Sequence, residues 1–348
     1  MRRTAMVKTA MIGFGGIAQS HKNAHLQFEA EGREKLVAVC DIDPEQVKRR
    51  IKINLEDAPE VCGGHFNVYT DYEEMLRSED VDLVDICVPS FLHAKIATEM
   101  LERGYNVLSE KPMALNSADC ETMLAAYEKA KKNGKYLMIG QCLHFYPEYE
   151  YLKACIGDGR FGKVTSAVFQ RLSGIPMWSW QNWYWDYEKA GGVITDMQIH
   201  DLDMARWLFG EPEWVECRAS SKYTKFDNSH VTLGYDFPVT CLGDWTLRGV
   251  KFNMSFRFGF EKASVILDGG KLTVYPADGS AAYEPDYRHP HTGIAGEVGY
   301  LLDLIENGGE NVKNTPVSAY NTIRLVEAIR ESAENGGRRV VPTFVDEN

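Results

Sequence analysis

One stretch near the N-terminus decides the fold: Val7-Lys8-Thr9-Ala10-Met11-Ile12-Gly13-Phe14-Gly15-Gly16-Ile17-Ala18. Its first six residues are mostly apolar and predict a strand, and residues 16–30 predict a helix. Between them lies the pattern G-x-G-x-x-A, in which Gly13 permits a tight turn, Gly15 permits close approach by a ligand, and the small Ala18 lets the helix pack on the strand. The stretch therefore predicts the first unit of a parallel, doubly wound sheet that binds a dinucleotide.

The same turn predicts how the cofactor is held. The first helix begins with main-chain N–H groups that lack helical partners, and its positive dipole end favours a pyrophosphate, so Gly16 and Ile17 are also expected to contact the cofactor. Asp41 ends the second predicted strand. A carboxylate there can accept hydrogen bonds from the ribose hydroxyls and would repel a 2′-phosphate, which favours NAD over NADP. The alternative interpretation is a tight turn with a capping aspartate.

The two halves of the chain differ in their pattern. Strands and helices alternate through the first 140 residues, which predicts a parallel sheet with helices on both faces. Residues 214–274 predict one strand after another, which is typical of an antiparallel sheet. The other predicted segments of this half are helices over 147–156, 193–208, 297–306 and 318–334, and a loop over 276–296. We therefore expect one domain over residues 1–140 and a second over 141–348.

Composition excludes several classes of protein. The 348 residues include 38 Lys and Arg and 50 Asp and Glu, a net charge of −12, which disfavours a nucleic-acid partner. No run of 18 apolar residues occurs, so no membrane span is expected. The eight cysteines form no C-x-x-C pair, which indicates a reduced, cytoplasmic protein without a zinc or other metal site.

Two groups of polar residues are candidates for catalysis. Glu110-Lys111-Pro112 follows a strand predicted over residues 106–109, and ligands of parallel sheets bind at the carboxyl ends of the strands. Asp196 and His200 lie four residues apart in a predicted helix, which places both on one helix face. A neighbouring carboxylate would raise the basicity of the imidazole, as a general base near neutral pH requires. A surface lysine and a surface ion pair are the alternatives.

An aromatic segment is a candidate for substrate binding. Four of the seven tryptophans fall within residues 178–185. Trp178, Trp180 and Trp183 offer apolar faces that suit the ring of a sugar or cyclitol. Gln141 and His144 are expected to hydrogen-bond the hydroxyls of that substrate. The alternative is a hydrophobic contact between domains or subunits.

Taken together, these motifs resemble the Gfo/Idh/MocA oxidoreductases, the family of glucose–fructose oxidoreductase and inositol dehydrogenase. The resemblance rests on residues 13–18, 88–94, 110–112, 191–201 and 327–340. It implies an N-terminal Rossmann domain and a C-terminal α+β domain with a large open, mostly antiparallel sheet. It also implies hydride transfer between NAD and a ring hydroxyl or carbonyl of a sugar or cyclitol, and a homodimer or homotetramer formed through the second sheet.

The resemblance also implies roles for single residues. Lys111, Asp196 and His200 match the catalytic residues of the family, with His200 as the base and Lys111 holding the substrate oxygen; Lys111 as the base remains open. The residues that match the cofactor side are Pro89, Ser90, His93, Glu110 and Lys111. Many members carry an arginine where this chain has the segment 141–145, which favours a neutral polyol as substrate. Two other functions remain open: an NAD-dependent glycosidase that oxidises its substrate transiently, and a non-catalytic NAD-binding sensor.

Overall fold

A computed structural model describes residues 6–49, 65–287 and 289–346. The first domain is built on a six-stranded parallel sheet whose strands follow the order β3-β2-β1-β4-β5-β6. Its strands are β1 (Val7–Ile12), β2 (Glu34–Cys40), β3 (Asn67–Tyr69), β4 (Leu83–Ile86), β5 (Asn106–Glu110) and β6 (Leu137–Gly140). Its helices are α1 (Ala18–Ala30), α2 (Tyr72–Ser78), α3 (His93–Glu102) and α4 (Ser117–Lys131).

The strands are parallel, and β1, β3, β4 and β5 are each followed by an α-helix that returns the chain to the same end of the sheet. β4, β5 and β6 are buried along their whole length, as expected for strands covered on both faces. The strand order changes direction between β1 and β4, which is where ligands of such sheets bind. The predicted Rossmann fold is confirmed.

The second domain contains a seven-stranded sheet with the order β13-β12-β11-β7-β10-β9-β8. β7 and β10 run parallel, and every other neighbouring pair is antiparallel, so the predicted, mostly antiparallel sheet is also confirmed. The strands are β7 (Val164–Leu172), β8 (Val215–Ser220), β9 (Asn228–Leu233), β10 (Val239–Asp244), β11 (Asn253–Phe260), β12 (Ala263–Asp268) and β13 (Lys271–Pro276). The helices are α5 (Pro147–Asp158), α6 (Tyr187–Ala190), α7 (Ile199–Phe209), α8 (Gly293–Asn307) and α9 (Pro316–Glu334).

Two features differ from the sequence prediction. Residues predicted as the first turns of one long α-helix form a π-helical turn, Ile194–Gln198, before α7 begins. α8 starts at Gly293, inside the predicted loop, and its Val298, Leu301 and Leu302 pack with Phe28 of α1 against the first sheet. One of the helices that cover this face of the first sheet, α8, therefore comes from the second half of the sequence.

The two sheets share a continuous apolar core that extends from β4 through α9 to β11. Seven of the eight cysteines lie in the described residues and are free thiols, while Cys62 lies outside them. Within the described ranges, no helix combines the length and apolar character needed to cross a membrane.

Candidate active site

The glycine-rich turn leaves room for a ligand at the end of β1. Gly13 has a φ of +89°, and a Cβ there would lie 2.6 Å from the Cys87 carbonyl oxygen, so only glycine fits. At Gly15 an added Cβ would meet nothing within 4 Å. No side chain caps the start of α1, although the fully buried Ala18 packs its first turn against the core. The turn therefore presents free N–H groups at a helix N-terminus, which suits a pyrophosphate.

Gly16 and Ile17 connect this turn to α1. The Gly16 and Ile17 carbonyls accept from Gln19 and Ser20 respectively, so both residues already belong to the first helical turn. Gln19 also donates its side-chain amide to the Arg49 carbonyl at 2.8 Å. The segment after β2 therefore lies beside the turn.

Asp41 lies at the carboxyl end of β2, beside the glycine-rich turn. Its Oδ2 accepts the Phe14 N–H at 2.7 Å, and its Oδ1 accepts the Asp43 N–H at 2.9 Å. Each carboxylate oxygen retains a further acceptor site, so the group can also receive ribose hydroxyls. The Arg49 side chain is paired with Asp43 at 2.8 Å. The residues present at this edge of the sheet fit an NAD molecule.

The loop after β4 forms the opposite side of the cleft. Pro89 precedes a short 3-10 turn, Ser90–Leu92, and Ser90 is buried. The His93 ring lies between two main-chain oxygens, with Nδ1 2.7 Å from the Pro112 oxygen and Nε2 2.9 Å from the Val88 oxygen. Each ring nitrogen thus faces a main-chain oxygen, and His93 ties this loop to the residues after β5. The contact of His93 with the cofactor stays a prediction.

Lys111 follows β5 directly, and the peptide bond between it and Pro112 is cis. Its Nζ donates to the main-chain oxygen of Asp196 at 2.6 Å and to Oδ1 of Asp196 at 3.2 Å. The two side chains are only 16% and 12% exposed, which gives a desolvated ion pair that still reaches solvent. The structure thus brings together two of the three predicted catalytic residues.

The expected pairing of Asp196 with His200 needs correction. A π-helical turn is wider than an α-helical turn, so a spacing of four residues no longer aligns two side chains. Asp196 pairs with Lys111 instead, and the buried Nδ1 of His200 has no hydrogen-bond partner among the described residues. Burial, the Lys111 ammonium and the Arg171 guanidinium hold the pKa of His200 well below its usual range. The imidazole is therefore neutral at neutral pH and is less basic than predicted.

Arg171 and Asp201 form a buried ion pair that the sequence did not indicate. Arg171, near the end of β7, donates its Nε to Oδ1 of Asp201 at 2.9 Å. Burial raises the pKa of Asp201 to about 6, although Arg171 opposes that rise. The signal that could have found this pair is the period-two alternation of the strand, which places Arg171 on the same face as the apolar Ala167 and Phe169. A guanidinium thus stands near His200 even though the segment 141–145 carries no arginine.

Gln141 and His144 have different surroundings. Gln141 is 1% exposed, and neither its amide nitrogen nor its amide oxygen has a partner among the described residues. His144 has its Nε2 2.7 Å from Oδ2 of Asp203 and its Nδ1 2.6 Å from the Lys313 oxygen. The expectation that His144 hydrogen-bonds the substrate is therefore corrected, because both of its ring nitrogens are occupied inside the protein. Gln141 remains able to bind a polar ligand.

The aromatic segment surrounds a tyrosine. Trp183 stacks on Tyr184 with ring centroids 4.0 Å apart, and Trp178 meets Tyr184 edge-on at 5.3 Å. Trp180 is 48% exposed. Burial, and then the charges of Asp196 and Glu110, raise the pKa of Tyr184, so its hydroxyl lies within their electrostatic reach. Two of the predicted tryptophans, Trp178 and Trp183, thus pack on Tyr184.

The arrangement combines a dinucleotide-binding turn with an ammonium–carboxylate pair and a neutral imidazole. The dinucleotide-binding turn lies at the end of β1 and Lys111 lies at the end of β5, so both are at the carboxyl edge of the parallel sheet. Such a set can bind a nicotinamide cofactor, hold a hydroxyl oxygen and accept its proton. The geometry therefore favours oxidation or reduction over hydrolysis.

Comparison with known proteins agrees with this chemistry. Residues 7–141 match a model described as an oxidoreductase family with an NAD-binding Rossmann fold, and residues 149–266 match the GFO/IDH/MocA C-terminal domain. D-apiose dehydrogenase of Paraburkholderia graminis is 27% identical over 284 residues, which cover 81% of this chain and 68% of that protein. Inositol 2-dehydrogenase of Rhizobium meliloti is 29% identical over 208 residues, 59% of this chain and 56% of that protein.

The fold is also shared with a solved structure. Levoglucosan dehydrogenase in complex with NADH and L-sorbose superposes with a TM-score of 0.81 at 19% identity, covering 98% of this chain and 100% of that one. The predicted NAD cofactor and the resemblance stated above are confirmed. The chain belongs to the Gfo/Idh/MocA family of NAD-binding oxidoreductases.

Proposed function

We propose that this protein transfers hydride between NAD and a ring hydroxyl or carbonyl of a sugar or cyclitol. The observation that carries the proposal is the Lys111–Asp196 ion pair beside a neutral His200, at the same sheet edge as the Gly13–Ala18 turn. When bound, NAD supplies the hydride acceptor. The turn would hold its pyrophosphate and Asp41 its ribose.

Three side chains take the remaining roles in the reaction. A neutral His200 accepts the hydroxyl proton, because its Nδ1 has no hydrogen-bond partner among the described residues. The Lys111 ammonium donates a hydrogen bond to the same oxygen and stabilises the negative charge that develops there. Asp196 holds and orients Lys111 in an ion pair, which supports His200 rather than Lys111 as the base.

The aromatic segment supports a polyol as the substrate. The Tyr184 hydroxyl and the unpartnered amide of Gln141 supply hydrogen bonds, and Trp178, Trp180 and Trp183 supply apolar area around them. The Arg171–Asp201 pair is neutral as a unit, so it adds no net positive charge that would select an anionic substrate.

The test is a panel of aldoses, anhydrosugars and inositols incubated with NAD. A dehydrogenase forms NADH in proportion to the substrate consumed. An NAD-dependent glycosidase would instead release nitrophenol from aryl glycosides without net NADH, and a sensor would bind NAD and do neither. Stoichiometric NADH with at least one polyol supports the proposal, and either of the other results contradicts it.

We further propose that the second sheet pairs with another copy of the chain in a homodimer or homotetramer. One face is buried under helices, as Phe169, Cys241 and Phe256 show. On the opposite face Val168 lies between Thr240 and Arg257, and all three are at least partly exposed. Light scattering in solution tests this, and a monomer at micromolar concentration would contradict it.

A further inference from the structure

A series of buried ionisable side chains in the first domain is linked by close contacts and ends at Lys111. We call it the buried chain; its members are Glu34, His25, Asp85, His21 and Glu110. At its far end Oε2 of Glu34 lies 3.0 Å from Nδ1 of His25, and Nε2 of His25 lies 2.8 Å from Oδ2 of Asp85. All three side chains are fully buried.

The near end of the buried chain reaches Lys111. His21 has its Nδ1 2.8 Å from Oδ2 of Asp85 and its Nε2 2.9 Å from Oε1 of Glu110. The other oxygen of Glu110 accepts the main-chain N–H of Lys111 at 2.9 Å. His21 is therefore one side chain away from the residue whose ammonium pairs with Asp196.

Charges alternate along the buried chain, because each imidazole lies between two carboxylates. Burial alone would lower the pKa of His21, but the charge and the hydrogen bond of Asp85 act against burial, and the pKa is raised well above its usual range. Burial also opposes protonation of His25, but Glu34 and Asp85 raise its pKa to about 9. Both rings are imidazolium ions at neutral pH.

Other ionisable groups face His21 from neighbouring elements. Cys87 follows β4, and burial holds its thiol protonated by raising its pKa. Glu297 comes from α8, is fully buried, and has no hydrogen-bond partner among the described residues. Burial and the charge of Glu110 raise its pKa well above the usual range, so it is neutral. His21 is therefore the cation that compensates Glu110 from within the first domain.

A purely structural core would not be built this way. Burying an ion costs several kcal/mol even when it is paired, and apolar side chains of similar size fill such a space at lower cost. Buried groups with shifted pKa values concentrate at functional sites. At the Glu110 end, the buried chain meets the main-chain N–H of Lys111.

We propose that His21 is a positioning residue for Lys111 and acts through Glu110. The imidazolium holds one oxygen of Glu110, so that the other oxygen faces the Lys111 N–H and fixes the point from which Nζ reaches Asp196. Without His21, the Glu110 carboxylate would lose this hydrogen-bond partner and could turn away from the Lys111 N–H. Its effect on turnover rests on the hydride transfer proposed above.

Kinetics of a double-mutant cycle test this route. His21→Leu and Glu110→Gln should each lower kcat about tenfold or more, because each breaks a hydrogen bond to a charged group, while KM for the polyol changes less than about threefold. The double variant should lose no more than the worse single variant, because both residues act on one path. A double variant whose loss in kcat equals the product of the two single losses would overturn the proposal.

A matched control separates positioning from loss of stability. Met123→Ala creates a cavity at a fully buried position of α4 and leaves the buried chain untouched. Its kcat should stay within about twofold of the parent at a temperature where both are folded, although its unfolding temperature falls. A kcat loss in Met123→Ala equal to that in His21→Leu would contradict a specific role for His21.

A second measurement does not need turnover. Nitrogen-15 NMR should show both ring nitrogens of His21 protonated at neutral pH, and a slowly exchanging Lys111 ammonium signal, assigned by its loss in Lys111→Arg. In His21→Leu, or in Glu110→Gln if the former does not fold, the Lys111 signal should shift and exchange faster. A neutral His21, or a Lys111 signal unchanged in the folded variant, overturns the proposal. Absence of any NADH formation alongside these signals would instead contradict the proposed function alone.

Discussion

Lys111 Nζ lies 2.6 Å from the main-chain oxygen of Asp196 and 3.2 Å from its carboxylate, although the two residues are 85 positions apart in the chain. The contact joins the end of a parallel strand in the first domain to a π-helical turn in the second. The proposed site is therefore complete only when the two domains pack together.

Removing either proposed catalytic side chain should abolish most turnover. Lys111→Ala and His200→Ala are each expected to lower kcat by roughly 100-fold or more, the usual scale of general-base and electrostatic contributions. Both variants should still bind NAD, because the Gly13–Ala18 turn is untouched. Titration of NADH by fluorescence provides that control, and near-full activity in His200→Ala would show that another group takes the proton.

The pH dependence should distinguish the two candidate bases. Burial, Lys111 and Arg171 lower the pKa of His200 well below 6.5, so the imidazole stays neutral and active as the pH falls below that value. The acid limb of kcat/KM should therefore lie below pH 6.5 and should move to higher pH in Arg171→Met. A parent enzyme that becomes active only above neutral pH would favour Lys111 as the base.

Cofactor choice should depend on Asp41. Its carboxylate accepts two main-chain N–H groups beside the turn, and a 2′-phosphate placed there would face an uncompensated negative charge. We expect NADH to bind at least about tenfold more tightly than NADPH, and Asp41→Ser to reduce that ratio. Arg49→Ala is the control, because the Arg49 side chain is already paired with Asp43, so its removal should leave the ratio unchanged. Equal affinity for both cofactors in the parent would contradict the prediction.

Tyr184 should contribute to substrate binding more than its neighbouring tryptophans. Its hydroxyl lies within electrostatic reach of Asp196 and Glu110. Tyr184→Phe removes only the hydroxyl and should lower kcat/KM for the polyol about tenfold, the effect of one buried hydrogen bond. Trp185→Phe is the matched control, because Trp185 is 36% exposed and its indole donates to the Pro176 oxygen, away from Asp196. A larger loss in Trp185→Phe would contradict this assignment.

Stability should fall on the alkaline side because of His25. Its pKa is about 9 in the folded protein and 6.5 in an ordinary environment, so its contribution is complete below pH 6.5 and is lost as the pH rises through 9. That difference corresponds to at most about 3 kcal/mol of unfolding free energy. Urea unfolding between these pH values measures it. The double variant His25→Leu with Glu34→Leu should show a flatter pH dependence, and an equally steep one would contradict the assignment.

Local patterns in the sequence determined the fold class and the cofactor side of the site. The alternation of apolar strands and helices, the positive φ that only glycine adopts easily at position 13, and the carboxylate at the end of the second strand act over a few residues. Their physical consequences do not depend on distant parts of the chain. The sequence alone therefore predicted a parallel sheet with NAD at its carboxyl edge.

Tertiary packing decided which polar residues meet. Asp196 pairs with Lys111 because the π-helical turn rotates it away from His200, and His144 faces Asp203 because α7 packs beside the segment after β6. The pairing of Arg171 with Asp201 and the buried chain through His21 likewise join separate elements. A hydrogen bond depends on distances of a few tenths of an ångström. Residue spacing along the chain cannot specify such distances between elements that only the folded core brings together.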